Sequence, residues 1–231
     1  MSEGLDPVDS PSEPRREADV SERLSLGASA ALIGEYRWIE HALYRLLGQW
    51  VSDTPLAAVQ LHLDAQSMRH SWHAELWGDR LPVLAGFDPD EVSRPSPPTV
   101  AMFATLTGAP PPVDGPSPSW PTAEDPPDRP GALPRLAGLY RVVLPRLVTG
   151  YQRHLDLAEA VTDGPVIRTL RLVLNDEIED WRSGERLVQR LVSRPHDVAA
   201  VYEFLERLES SVVGAGASSG LVPLPGTVPG D

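Results

Sequence analysis

Cysteine and lysine are both absent from this 231-residue chain, in which all 20 basic residues are arginine. The lack of cysteine excludes disulfides, thiolate nucleophiles, iron–sulfur clusters and cysteine-ligated zinc. The lack of lysine excludes a P-loop lysine, a Schiff-base lysine and a pyridoxal-phosphate anchor. Several large classes of enzyme are therefore ruled out before any motif is considered.

Positive charge is scarce as well, because the formal net charge is −13. The excess acid is concentrated in residues 1–24 and 82–132, which carry net charges of −4 and −5. Binding to nucleic acid needs a basic face that contacts phosphates. We therefore interpret the two acidic segments as solubilising flanks and predict no nucleic-acid partner.

Long apolar runs are also missing. No stretch of about 18 consecutive apolar residues occurs, so we expect no transmembrane helix and no membrane partner. The N-terminal residues, MSEGLDPVDS, are polar and acidic, and they lack the basic region and apolar core of a signal peptide. These features predict a cytoplasmic protein.

What the chain does contain is helical periodicity. Apolar residues recur at three- and four-residue spacing in four long segments, and no segment shows sustained alternation, so we predict helices and no sheet. The long helices are expected at residues 28–51, 55–81, 133–161 and 165–192, with a shorter fifth helix at 198–213. Thr54 and Pro55 are expected to start the second helix, and Pro145 is expected to bend the third.

Proline divides the helices into two pairs. Residues 82–134 contain 15 of the 25 prolines, which disfavours regular structure apart from one short helix at Thr99–Leu106. We predict a helical domain at 25–213, with 82–132 as a long crossover between the second and third helices. Residues 1–24 are predicted to be a disordered acidic tail, and residues 214–231 a flexible tail. The predicted fold class is all-α, a four-helix bundle with one crossover and a short fifth helix.

Every long helix places a carboxylate or an imidazole on or beside its own apolar stripe. These residues are Glu35, His70, His73, His154, Glu177 and Asp180. Burying such groups without partners costs roughly several kcal/mol each, so they need one another, water or a metal ion. Their levels along the bundle coincide only if the second and third helices run parallel, which the long crossover allows. Glu40 lies near a second stripe with Ile33 and Leu47, but for this residue a solvated face is favoured.

This arrangement over residues 28–192 resembles the ferritin-like superfamily. That family's di-iron pattern is one Glu from each of two helices and Glu-x-x-His from each of the other two. Here the second helix offers His70-Ser-Trp-His73, the third offers His154, and the fourth offers Glu177-Ile-Glu-Asp180. The resemblance implies a ferritin-like bundle with a non-haem metal site, while the departures leave one metal ion, or none, equally compatible.

Two functional hypotheses follow from these residues. In the first, Glu35, His70, His73, His154, Glu177 and Asp180 form a metal site that suits iron, manganese or zinc and supports a metal-dependent oxidoreductase. In the second, the bundle is a degenerate, metal-free member that acts as an interaction or scaffold protein. A third class, a bundle that binds a small ligand without catalysis, stays open. A homodimer or another protein partner is also expected, since Trp38 and Trp72 are hard to accommodate in one core.

Overall fold

The computed structural model describes residues 24–113, 115–116, 118, 130–217 and 220–223. Within these residues the fold is entirely helical, as the periodicity predicts. The elements are α1 (Leu26–Asp53), α2 (Ala57–Gly78), α3 (Pro89–Val92), α4 (Pro97–Thr107), α5 (Ala132–Gly138), the π-helical segment π1 (Leu139–Val143), α6 (Leu144–Leu157), α7 (Gly164–Leu191) and α8 (Pro195–Gly214). None of the helices in this part of the chain is both long enough and apolar enough to cross a bilayer.

The turn between α1 and α2 differs from the prediction at Thr54. Its hydroxyl donates to the Trp50 carbonyl oxygen at 2.9 Å, so Thr54 closes the last turn of α1 instead of starting α2. Leu56 precedes α2 and makes no side-chain cap hydrogen bond. The predicted N-cap role of Thr54 is therefore wrong, because its hydroxyl satisfies a carbonyl at the end of the preceding helix.

The third long helix consists of α5, π1 and α6, and it changes pitch just before Pro145. The Leu144 N–H donates to the Leu139 carbonyl, a bond that spans five residues and is typical of a π-turn. A proline has no N–H, and its ring crowds the carbonyl four residues earlier in an α-helix. The wider turn relieves that crowding, so Pro145 acts here through a local change of pitch.

Two contacts between helices define the topology. The Tyr140 hydroxyl donates to Gln66 Oε1 at 2.7 Å, and the Trp77 and Tyr151 rings stack with centroids 5.5 Å apart. From the first pair to the second, the residue number increases on both helices, from Gln66 to Trp77 on α2 and from Tyr140 to Tyr151 on the third long helix. The second and third long helices therefore run parallel, so the end of α2 and the start of α5 lie at opposite ends of the bundle.

The predicted crossover contains more helix than its proline content suggests. The short helix predicted at Thr99–Leu106 is confirmed and extends over α4, and α3 forms as a further single turn. A Cβ atom at Gly34 of α1 would lie 2.2 Å from the Val92 carbonyl oxygen. The backbone of the crossover thus touches α1 directly, and α1 is covered on a side that a simple four-helix bundle leaves open to water.

The predicted tails and the two tryptophans are only partly covered by the described residues or by the core. Most of the predicted tails, at 1–23, 218–219 and 224–231, lies outside the described residues. Leu221 and Val222, within the predicted flexible C-terminal segment, are buried against the bundle. Trp38 is fully buried and packs edge-on against Phe103 of α4, whereas Trp72 is 45% exposed. The core accommodates Trp38, so only Trp72 still favours a dimer, and the dimer stays a prediction.

Candidate metal centre

Four buried side chains converge in the interior of the bundle. They are Glu40 of α1, His70 and His73 of α2, and Glu177 of α7. One potential ligand atom from each lies within 4.8 Å of all the others, and every one of the four side chains has 0% exposure. Three separate helices thus contribute to one enclosed polar group.

The distances within this group resemble the edges of a coordination polyhedron. His73 Nδ1 lies 3.2 Å from Glu177 Oε1 and 3.6 Å from Glu40 Oε2, and His70 Nδ1 lies 3.3 Å from Glu177 Oε1. Ligands at about 2.0–2.1 Å from a tetrahedral metal ion are separated by about 3.3 Å. The fourth edge, His70 Nδ1 to Glu40 Oε2, is 2.5 Å and has the length of a strong hydrogen bond. Small movements of Glu40 or His70 would make this edge match the others.

Local sequence explains why these side chains meet. His70 and His73 are three residues apart on α2, which places them on one face of the helix. Glu177 lies between Leu174 and Trp181 on the inward stripe of α7. Glu40 points inward because α1 is buried around most of its circumference, where the crossover covers its outer side. The group therefore depends on the His70–His73 spacing in α2, on the position of Glu177 in the apolar stripe of α7, and on the enclosure of α1.

Burial and charge act in opposite directions on these four groups. For Glu40, burial opposes ionisation, but the neighbouring His70 and His73 outweigh it and lower the pKa to about 2. For His73, burial disfavours the cation, but Glu40 and Glu177 outweigh it and raise the pKa to about 11. Burial raises the pKa of Glu177. For His70, burial disfavours the cation, but Glu177 and Glu40 outweigh it and raise the pKa. The protein thus builds a charge-compensated group whose two carboxylates match the charge of one divalent cation.

Further contacts hold the group from outside. The Tyr151 hydroxyl of α6 donates to Glu40 Oε1 at 2.5 Å, which turns Oε2 toward the histidines. His73 Nε2 lies 3.2 Å from Asp176 Oδ2. Two atoms of the group, His70 Nε2 and Glu177 Oε2, are buried and have no hydrogen-bond partner among the described residues. Buried polar atoms of this kind call for a further partner, such as an ion or water.

Of the six residues proposed from the sequence, His70, His73 and Glu177 belong to this group, and Glu35 does not. Glu35 Oε1 accepts hydrogen bonds from the Ser96 N–H at 2.9 Å, the Ser96 hydroxyl at 2.5 Å and the Thr99 hydroxyl at 2.5 Å. Burial raises the pKa of Glu35. Its partners show that it anchors the start of α4 to α1, so it acts in the crossover and not in the buried group.

Asp180 and His154 also lie outside the group. Asp180 forms a bidentate pair with Arg69, whose Nε lies 2.8 Å from Asp180 Oδ2. His154 is buried at the end of α6 with its ring centroid 5.7 Å from that of Tyr36. Burial lowers the pKa of His154 to about 4. The third long helix therefore contributes Tyr151 to the surroundings of the group and contributes no member of it.

The one member that sequence reasoning placed elsewhere is Glu40. The preference for a solvated face was wrong, since its side chain is completely buried. The signal that could have found it is the apolar character of α1 on more than one side, with Ile33 and Leu47 near the same stripe as Glu40.

Comparisons with known proteins add no constraint to these assignments. No family model, no curated protein and no solved structure matches this chain.

Proposed function

We propose that this chain is a metal-binding helical protein in which Glu40, His70, His73 and Glu177 bind one divalent transition-metal ion. The observation that carries the proposal is the enclosure of four ligand-type side chains within 4.8 Å of one another. The buried and unpartnered Glu177 Oε2 supports it, because a metal ion bound to this carboxylate would satisfy an oxygen that the described protein residues leave without a hydrogen bond.

The donor set indicates which metals fit. Two imidazole nitrogens and two carboxylate oxygens suit iron, manganese or zinc, whereas a softer metal would favour the thiolates that this chain lacks. When bound, such an ion supplies Lewis acidity, and iron or manganese also supplies one-electron redox chemistry. We propose a metal-dependent oxidoreductase as the enzyme class, with iron or manganese as the preferred ion.

A ferritin-like relationship is part of this proposal. It is supported by two helix pairs, a long crossover, and parallel second and third helices. The departures from the family pattern leave only two carboxylates in the group, Glu40 and Glu177. His70 replaces the Glu of a Glu-x-x-His pair, and Asp180 is occupied by Arg69. A group with only two carboxylates fits one metal ion better than two.

The second candidate is a metal-free bundle that serves as an interaction or scaffold protein. The observation in its favour is the Glu40–His70 hydrogen bond of 2.5 Å, together with the charge compensation between Glu40 and His73. In this case the four groups stabilise one another and need no ion.

One experiment separates the two candidates. The protein is purified without a histidine tag, and its metal content is measured by mass spectrometry before and after loading with Mn²⁺, Fe²⁺ or Zn²⁺. We expect about one equivalent per chain, lost in Glu177→Ala and His73→Ala and retained in Glu35→Gln, whose side chain is buried outside the group. At a free metal concentration about 100 times Kd, stabilisation is about 2.7 kcal/mol, which raises Tm by about 5–10 °C.

The opposite result is equally clear. A protein that contains no metal, and whose Tm is unchanged by all three ions, would exclude the metal site and favour the metal-free bundle. Circular dichroism of each variant establishes that loss of metal does not follow from loss of the helical fold.

A further inference from the structure

His73 is held at both ring nitrogens by two consecutive residues of α7. Its Nδ1 lies 3.2 Å from Glu177 Oε1, and its Nε2 lies 3.2 Å from Asp176 Oδ2. Asp176 is 25% exposed, whereas Glu177 is fully buried. The imidazole therefore spans the boundary of the buried group, with one edge facing the interior and the other facing a carboxylate at the surface.

The second imidazole of the group has no such contact. His70 Nδ1 also faces the interior, at 2.5 Å from Glu40 Oε2, but His70 Nε2 has no hydrogen-bond partner among the described side and main chains. The two histidines thus have similar inner contacts and different outer ones, so any effect of the outer carboxylate should act through His73.

We infer that Asp176 is a positioning residue that orients His73 for metal binding through Nδ1, an inference that rests on the proposed metal site. A neutral imidazole carries one N–H and one lone pair, and an ionised carboxylate can only accept a hydrogen bond. With a metal ion bound at Nδ1, the imidazole would be neutral, and its one proton would lie on Nε2 and be donated to Asp176 Oδ2. A carboxylate that accepts from the outer nitrogen of a metal-bound histidine fixes the tautomer and the ring orientation, and its loss typically weakens metal binding 10- to 100-fold.

The test measures Zn²⁺ affinity by competition with a chromophoric chelator and records the visible absorption spectrum of the Co²⁺-loaded protein. We expect Asp176→Ala to weaken Zn²⁺ binding 10- to 100-fold at unchanged stoichiometry and to alter the Co²⁺ bands. Asp176→Asn keeps the shape and one acceptor oxygen without the charge, so it should fall between Asp176→Ala and wild type. Asp176→Glu should restore part of the affinity. Glu179→Gln removes an exposed charge from the same helix and should match wild type in both measurements.

The outcomes distinguish this inference from the proposed function. If wild-type protein binds neither ion, the metal site is refuted and the role of Asp176 with it. If wild type binds one ion, and Asp176→Ala and Asp176→Asn bind within about threefold of wild type with unchanged Co²⁺ bands, the positioning role is overturned and the metal site stands. Asp176→Asn keeps the test decisive if Asp176→Ala folds poorly, as judged by helical circular dichroism.

Discussion

Replacing Glu40 by glutamine tests the energetics of the buried group in the absence of metal. The Glu40 carboxylate accepts from the Tyr151 hydroxyl and pairs with His70, each at 2.5 Å. A glutamine has one acceptor oxygen and one N–H₂ group, so it can satisfy only one of these partners as an acceptor. It also leaves the positive charge of the histidines without its nearest counter-charge. Removing one member of a buried ion pair costs about 3–5 kcal/mol.

The assay is urea and thermal unfolding of the protein in EDTA at pH 7. A loss of about 3–5 kcal/mol lowers Tm by about 6–20 °C for a domain of this size. Glu75→Gln is the matched control, since Glu75 is exposed on α2, and it should change stability by less than about 0.5 kcal/mol.

The pH dependence provides an independent check on the same variant. The pKa of Glu40 is lowered from 4.5 to about 2, so its contribution is complete above pH 4.5 and is lost as the pH falls toward 2. The stability difference between wild type and Glu40→Gln should therefore be constant from pH 7 to 5 and should shrink below that. A difference under about 1 kcal/mol at pH 7, or one that persists unchanged to pH 3, would refute the ion pair.

Three further perturbations probe separate contacts. The pKa of His73 is raised from 6.5 to about 11, so its contribution to the free energy of unfolding is complete below pH 6.5. In an alkaline titration of the metal-free protein, the stability should fall as the pH rises toward 11. A flat profile would contradict this. Tyr151→Phe removes the hydroxyl that Glu40 Oε1 accepts from and should cost about 1–3 kcal/mol in urea unfolding, whereas a neutral effect would mean that the bond is not formed. Gly34→Ala forces a Cβ to within 2.2 Å of the Val92 carbonyl oxygen and should lower stability by about 1–3 kcal/mol by calorimetry; an unchanged Tm would show that the crossover does not lie against α1.

The helices could be predicted because each carries an apolar stripe long enough to define its period. The fifth helix was expected at 198–213 and is observed at Pro195–Gly214, and the fourth was expected at 165–192 and is observed at Gly164–Leu191. Helix ends were less predictable where one side chain can serve either neighbour. Thr54 is the example, because its hydroxyl can cap the start of one helix or satisfy the end of another.

The candidate site was predictable only where a spacing within one helix determines it. His70 and His73 share a face whatever surrounds α2, and Glu177 lies between two apolar residues of a clear stripe. The choice between Glu35 and Glu40 is different, because they are five residues apart and point about 140° away from each other around the helix axis. The apolar residues on more than one side of α1 indicate that both carboxylates can be buried, but which of them faces the group depends on where the crossover packs. Glu35 accepts hydrogen bonds from Ser96 and Thr99 of the crossover, so Glu40 is the carboxylate of α1 that faces the interior group.

The π1 segment determines which side chains of α6 can approach the buried group. Each residue of an α-helix advances the chain by about 100° around its axis, so one residue more or less before α6 rotates everything that follows. Deleting a single residue between Leu139 and Val143 would carry the Tyr151 hydroxyl away from Glu40 and bring a neighbouring side chain to that position. The aromatic pairing with Trp77 would be lost in the same step. One wide turn therefore sets the rotation of all of α6 about its axis, and this turn lies some two helical turns before Tyr151.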